Sequence, residues 1–429
     1  MLSKHHHTGL FVTLWLLLSG LLFAQITSAD APERRREQFG NDFGYYFYPI
    51  GGEIPGLGKA AGFGGTVLNM FDTDTDFTAF NIDGDFKASG YTLLDMHVIK
   101  NKLLFDLGTY DFTVAPQVFK RGMNSSVTDY ILPKAQGAYN VAQLTWTNDA
   151  RRYEGYYRIL SGASRLLSVH DAQGNAYSSI DTSYHDSKSQ SLGFVVDRTD
   201  DRLDPRLGTR FEMSLSSPGI DNMYRSAYLV SDMNFTHFIP FRRWDTLALN
   251  AFYSHAYITR QATTNFTELQ NAIGFSCNLQ PLPAQAACYA AESSYLNDVI
   301  AQNTYGNATA LGGTQRLRSF ASGRYHAGQA AFVGLEYRMN LTDEYTPFNI
   351  YVAKGVRTGM QMAFFYEAGA VADENVDLFK NMRQTYGLGF RAVMSGVIIR
   401  ADYSRGEEGN QFVLFINYPW SMFSVDSPG

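Results

Sequence analysis

Along the second half of the chain, apolar and polar residues take turns. In FVGLEYRMNL, Val333, Leu335, Tyr337, Met339 and Leu341 are apolar, while Glu336, Arg338 and Asn340 stand between them. In MQMAFFYEAGAVAD, Met360, Met362, Phe364, Tyr366, Ala368 and Ala370 share one face, and Gln361, Glu367, Gly369 and Asp373 share the other. VIIRADYSR sets Val397, Ile399, Ala401 and Tyr403 against Arg400, Asp402 and Ser404. QFVLFINYPW aligns Phe412, Leu414, Ile416, Tyr418 and Trp420. A repeat of two puts each set on one side of a sheet. A soluble sandwich or propeller also hides one face and wets the other, so alternation alone does not choose. The polar faces carry both signs of charge, which suits a hydrated lumen. The apolar faces begin or end with Tyr and Trp, as at membrane–water interfaces. Stretches of about 9–11 residues match tilted strands crossing a bilayer. Strands in lipid must close on themselves, because an open edge would leave backbone groups without partners. The pattern therefore predicts an all-β, antiparallel transmembrane β-barrel.

Short connections separate several of these runs. LDPRLG, Leu203 to Gly208, has Pro and Gly where a tight turn needs them. FRR at 241–243 and GEEGN at 406–410 are also short. The stretch from Thr259 to Ala330 is far longer, and a loop of that length is either functional or disordered. It contains GGTQRLRSFASG, in which Arg318 is flanked by Leu317 and, after Ser319, by Phe320. Counting back from Trp420 places the closing strands at 411–420, 397–404, 386–395, 360–372 and 331–341. GLGKAAGFGGTVLNM, residues 56–70, reads as the first strand and carries five glycines, which weaken a strand and mark bends. Pro419, expected inside the last strand, has no ladder donor. The seam between first and last strands is thus expected to be thinly hydrogen-bonded; the plainer reading is that glycine lets a small barrel bend.

Composition agrees. Aromatic residues make up 14% of the 429, with no long apolar run after the N-terminus. A net charge of −6 offers no basic surface for a nucleic acid. At the N-terminus, LFVTLWLLLSGLLFA follows a segment holding one Lys and three His, and small residues come next. This is the layout of a secretory signal, residues 1–29, with cleavage after Ala24 or Ala29. A retained helical anchor is the alternative. A short periplasmic leader at 30–55, a barrel at 56–420 and an extension at 421–429 complete the expected organisation. Export implies an oxidising compartment, so the two cysteines, Cys277 and Cys288, are expected to form a local disulfide. The alternative, a metal pair, has no His or third Cys close by.

Several segments resemble one family. VVDRTDDRLDPRLGTRFEMSLS, with Asp197, Arg198, Pro205 and Gly208, resembles the acidic–basic turn of bacterial surface antigens of the BamA/TamA outer-membrane assembly superfamily. GGTQRLRSFASG is similar to the family's Gly-Gly … (Val/Leu)-Arg-Gly-(Phe/Tyr) motif, and FFYEAGAVAD resembles its Phe-x-Asp-x-Gly strand. YGLGFRAVMSGVIIRADYSRGEEGNQFVLFINYPW resembles its closing three strands. The resemblance spans about residues 190–420. Ser319 stands where the family has Gly, Glu367 where it has Asp, and nine residues follow Trp420. No room precedes the first expected strand for periplasmic substrate-binding domains, so a barrel-only member is expected.

The resemblance implies a 16-stranded barrel whose sixth extracellular loop folds into the lumen. Arg318 would meet Glu367, beside Gly369 on the thirteenth strand, with Leu317 and Phe320 packed around the contact. It implies a bacterial outer-membrane protein in contact with outer-membrane lipids. Its clients would be outer-membrane or secreted proteins, inserted or translocated through the seam. The alternative is a passive pore or a structural surface antigen; association between copies stays open. No catalytic role is expected, since there is no Gly-x-Ser-x-Gly elbow and no His-Glu-x-x-His. No cofactor or metal is expected either. DTDTD, Asp72 to Asp76, begins like a Ca²⁺ loop but has Phe77 where the turn Gly belongs and Asp83 where the bidentate Glu belongs.

Overall fold

A computed structural model describes residues 43–420, apart from positions 149, 177–180, 221, 243–244, 276, 280–281, 343–346, 351–352 and 395–396. The expected signal segment with its cleavage after Ala24, the leader upstream of Phe43 and the extension 421–429 lie outside the described residues.

Among the described residues, eighteen strands run in chain order. They are β1 (Gly44–Ile54), β2 (Gly58–Met70), β3 (Thr75–Gly84), β4 (Lys87–Ile99), β5 (Leu103–Val114), β6 (Val118–Phe119), β7 (Tyr130–Thr147), β8 (Tyr153–Asp171) and β9 (His185–Asp197). Then come β10 (Gly208–Ser217), β11 (Ala227–Phe241), β12 (Asp245–Arg260), β13 (Gln329–Asn340), β14 (Pro347–Ile350), β15 (Ala353–Ala372), β16 (Arg383–Met394), β17 (Val397–Gly406) and β18 (Gly409–Ile416). The connection from β12 to β13 holds two helices, α1 (Phe266–Ile273) and α2 (Leu282–Tyr305). Among the described residues, the two-residue β6 pairs only with β7, and the four-residue β14 only with β15. The other sixteen form the wall, each antiparallel to the next, through fifteen ladders.

The wall alternates as the sequence does. Val333 and Leu335 are 49% and 40% exposed on the outside, whereas Glu336 and Arg338, facing in, are 0% and 2% exposed. The main apolar core lies inside the cylinder, where Phe238, Phe252, Leu311, Leu317, Phe320 and Trp420 pack together. One end of the wall has mostly short turns; the other carries the long connections, including the one with the helices.

The two end strands differ from expectation. A strand precedes the expected first one: GYYFYPIGGEI forms β1, and residues 58–70 form β2. Tyr45, Tyr46, Phe47 and Tyr48 are consecutive aromatics, so no polar contrast marks the period, and Pro49 argues against an interior strand. Pro49 is accommodated because β1 is an edge. At the other end, β18 stops at Ile416, four residues before Trp420. Asn417 takes a left-handed conformation at φ 73° and breaks the extended run. Tyr418 and Trp420 are therefore not on the outer face with Phe412; both are buried inside. Pro419 lies beyond the strand, not within it.

Closure is incomplete. Among the described residues β1 and β18 lie side by side without a ladder. A Cβ on Gly52 would sit 2.6 Å from that of Leu414. Nearer the short-turn end, β1 pairs instead with the start of β15, Tyr45 opposite Lys354 and Tyr46 opposite Ala353.

Candidate functional site: a loop-plugged lumen

The long connection leaves β12 and first builds a cap. Asn265 starts α1 by accepting from the backbone N–H groups of Thr267 (2.9 Å) and Glu268 (3.2 Å). Leu269 of α1 packs on Leu296 and Val299 of α2. The Cys277–Cys288 disulfide ties the approach of α2 to its first turns. Asn303, fully buried, donates to the carbonyls of Tyr224 (3.0 Å) and Thr263 (2.8 Å) and accepts from the Ser226 N–H (2.9 Å). This fixes α2 over the rim.

The chain then descends as a narrow neck. Leu311 and Tyr325 exchange backbone hydrogen bonds of 2.8 and 3.0 Å. Gly312, at φ 110°, opens the tip; a Cβ there would fall 2.1 Å from the Ala321 carbonyl. Leu317 holds φ 53°, rare for a bulky residue, and is wholly buried. This conformation turns Arg318 toward the wall.

Arg318 is 0% exposed and meets three carboxylates from three strands. Its Nε donates to Glu367 on β15 (2.8 Å), its Nη1 to Asp402 on β17 (2.7 Å) and its Nη2 to Glu336 on β13 (3.2 Å). Its backbone N–H donates to the other Glu367 oxygen (3.0 Å), and its Cζ lies 3.4 Å from the Phe365 ring centroid. Arg338 and Arg391 also donate to Glu336, and Arg400 to Asp402. Four guanidinium groups thus share three carboxylates away from water, each in a charge-assisted hydrogen bond.

The flanking residues fill the remaining space. The Ser319 hydroxyl is 2.6 Å from that of Thr385, and Ser404 donates to the Arg318 carbonyl at 2.9 Å. Phe320 meets the Tyr325 ring, centroids 5.3 Å apart. Gly369 makes room: a Cβ there would meet Leu311 Cδ1 at 2.8 Å and Leu317 Cδ1 at 3.4 Å.

The loop is also fastened where it enters. Arg121, between β5 and β7, donates to Asp373 (3.0 Å) and to the Gly306 carbonyl (2.7 Å). Arg324 donates to Glu408 (3.0 Å) and to the Ser125 carbonyl (2.6 Å). His326 in the neck has its pKa pushed down to about 4, because burial disfavours its cation and Arg121 repels it.

At the short-turn end, the β9–β10 connection is drawn in. Asp197 accepts from the Thr199 N–H (3.0 Å) and from Arg210 (2.8 Å). Asp200 accepts from the N–H groups of Arg206 and Leu207. Arg198 reaches the Tyr153 hydroxyl at 3.3 Å, away from the lumen. Gly208, at φ 108°, passes so close to the Arg198 carbonyl that a Cβ would lie 2.2 Å from it. Pro205 lines a cavity of about 30 Å³ that Tyr418 and Trp420 also border. The alternation pattern gave no sign that Glu336 and Asp402 are partners of Arg318, or that Arg391 and Arg400 share those carboxylates, although it set all but Arg391 on polar faces. It also did not anticipate Tyr418 and Trp420 inside, for which Asn417 and Pro419 were the available signal.

No family model matches the chain, and no curated protein does. Similar solved structures include BamA from Haemophilus ducreyi lacking POTRA domains 1–3 (12% identity, TM-score 0.46, 89% of this chain and 69% of that one). Others are CdiB from Acinetobacter baumannii (10%, 0.47, 87% and 59%) and CdiB from Escherichia coli (7%, 0.47, 87% and 61%). This chain therefore spans about six tenths of the length of either CdiB. At such identities and TM-scores, the functional reading rests on this chain's own residues.

Proposed function

We propose that this chain is a bacterial outer-membrane β-barrel that inserts or translocates client outer-membrane or secreted polypeptides at its first-to-last strand seam. The carrying observation is a contrast within one wall. Among the described residues all fifteen pairs of successive wall strands are laddered, while β1 and β18 approach at Gly52 and Leu414 without a ladder. An unpaired edge is where an added strand gains main-chain hydrogen bonds. The plug supports the same reading, because a lumen filled around Arg318 leaves the seam as the open route. The outward apolar positions support a bilayer around the wall, and the long-connection end then faces outside the cell.

The test compares ion conductance with insertion of a client barrel in proteoliposomes. One sample carries Ile50→Cys and Ile416→Cys joined by a bifunctional thiol reagent. The native cysteines are paired with each other and do not interfere. Insertion that stops on cross-linking and returns on cleavage of the linker supports the seam. Insertion unaffected by the cross-link overturns it. Conductance with no insertion at all assigns a passive pore.

A further inference from the structure

Beside Pro419 and Trp420 lies a cavity of about 30 Å³ whose walls carry charge. Arg210 and Glu212 of β10, Thr236 of β11 and Arg338 of β13 line it. Arg338 is 2% exposed, and its Nε donates to Glu336 at 2.8 Å. The rings of Tyr418 and Phe238 pack on the guanidinium, their centroids 3.9 and 5.4 Å from its Cζ. Its Nη1 is buried and has no protein acceptor among the described residues. A buried donor is rarely left unsatisfied in a native protein, because it has given up water and received nothing in return. Thr236, also buried, accepts from Asn250 Nδ2 (2.8 Å), so its own proton still needs an acceptor. Glu212, 3% exposed, accepts from Asn234 (2.6 Å) and, as a carboxylate, has lone pairs for further donors.

We propose that this cavity is the site of one ordered water, which accepts from Arg338 Nη1 and from the Thr236 hydroxyl and donates to Glu212. A water needs roughly 10–15 Å³ and two to four polar partners, and the cavity meets both conditions. Charge selects water over an ion. Around Arg318, four guanidinium groups share three carboxylates, which leaves one positive charge in excess. Glu212 supplies the balancing negative charge. The other cations near it have carboxylates of their own: Arg210 binds Asp197 (2.8 Å), and Arg316 lies in the field of Asp232. A halide would therefore repel Glu212 with no surplus cation to hold it, and a metal ion would be repelled by Arg338. Water accepts from the one and donates to the other. It makes a water-separated ion pair of Arg338 and Glu212 and joins β13 to β10 across the two strands between them. The site belongs to the resting barrel and stands whether or not the barrel handles clients.

The experiment is diffraction from crystals of the full chain in a lipidic phase, soaked in sodium bromide and measured at the bromine edge, at a resolution that shows ordered water. The wild-type cavity is expected to hold one peak within about 3 Å of Arg338 Nη1 and of Glu212, with no anomalous signal. Glu212→Gln keeps the shape but removes the balancing charge, so a bromide peak is expected in its cavity under the same soak. Thr236→Val removes one donor at nearly equal volume, and the water peak is expected to lose most of its height. A bromide peak in the wild-type cavity overturns the assignment of water, and so does a cavity without density. Glu212→Gln without bromide overturns the role of Glu212 as the balancing charge. An unchanged peak in Thr236→Val overturns the part given to Thr236. If Glu212→Gln fails to fold, the wild-type and Thr236→Val crystals still decide between water, halide and no occupant.

Discussion

Arg318 does not hold its three carboxylates equally. Glu336 keeps Arg338 and Arg391 without it, and Asp402 keeps Arg400. Among the described residues, Glu367 would keep two uncharged donors, the indole N–H of Trp420 and the backbone N–H of residue 318, and no bonded cation. Arg318→Ala should therefore cost about 3–5 kcal/mol, the usual penalty for an uncompensated buried charge. The loss should fall mainly on the Glu367 side. Arg318→Ala with Glu367→Gln should recover part of it, while Arg318→Ala with Asp402→Asn should not, because that change takes from Arg400 the carboxylate that balances its charge and leaves it only carbonyl acceptors such as Asn417. Urea unfolding in a double-mutant cycle measures the difference. Arg318→Lys should stay close to the Ala variant, since an ammonium cannot fork to three strands at once. Equal recovery by both double variants would contradict this division.

The loop behaves as an element with two anchors, a tip at Arg318 and a neck at the rim, and the neck carries a titratable group. Arg121, Arg324 and Asp373 face His326. In a released loop this His takes a proton near pH 6.5; in the seated loop it does so only near 4. The released state binds more protons between those values, so seating weakens as pH falls from about 6.5 toward 4 and then levels off. The full span is about 3 kcal/mol. Limited proteolysis of the loop should thus accelerate between pH 7 and 4.5, and His326→Gln should flatten that rise. Reducing Cys277–Cys288 should act differently. It should expose the start of α2 to protease while Asn303 and the Arg318 tip stay in place, leaving the melting temperature of the wall unchanged. What sequence could and could not reveal divides along the same elements. β13, β15 and β17 were legible because each alternates between lipid-type and charged residues. β1 was not, because aromatics occupy both of its faces. Arg318 stood out between apolar neighbours in a glycine-framed tip that also holds Arg316, but the number of its acidic partners depends on strand register, which no local pattern encodes. The inward turn of Tyr418 and Trp420 hid behind an apparent continuation of period two, broken only by the backbone of Asn417.

For the whole molecule, the decisive physical fact is which side of the wall is oily. The inner face satisfies its charges within itself, through networks such as Glu336 with Arg318, Arg338 and Arg391. The outer face presents Val333, Leu335, Phe364, Tyr366, Leu388 and Phe390 with no polar cover. In water, such a surface would far exceed the few hundred Å² of apolar patch that soluble monomers expose; in a bilayer it is the favoured state. The two cases respond oppositely to one substitution. Leu335→Arg, at an outward and half-exposed position near the middle of β13, should cost about 2–4 kcal/mol in lipid, where a cation near the midplane must be dragged to an interface. In a water-facing wall the same change would be nearly neutral or would improve solubility. Folding into bilayers of defined thickness, followed by denaturant titration, gives the number. A cost confined to outward positions on the same strand, alongside a different and larger penalty at inward Glu336, fits a membrane-spanning cylinder with its charged core inside. A neutral Leu335→Arg would place water, not lipid, against this face.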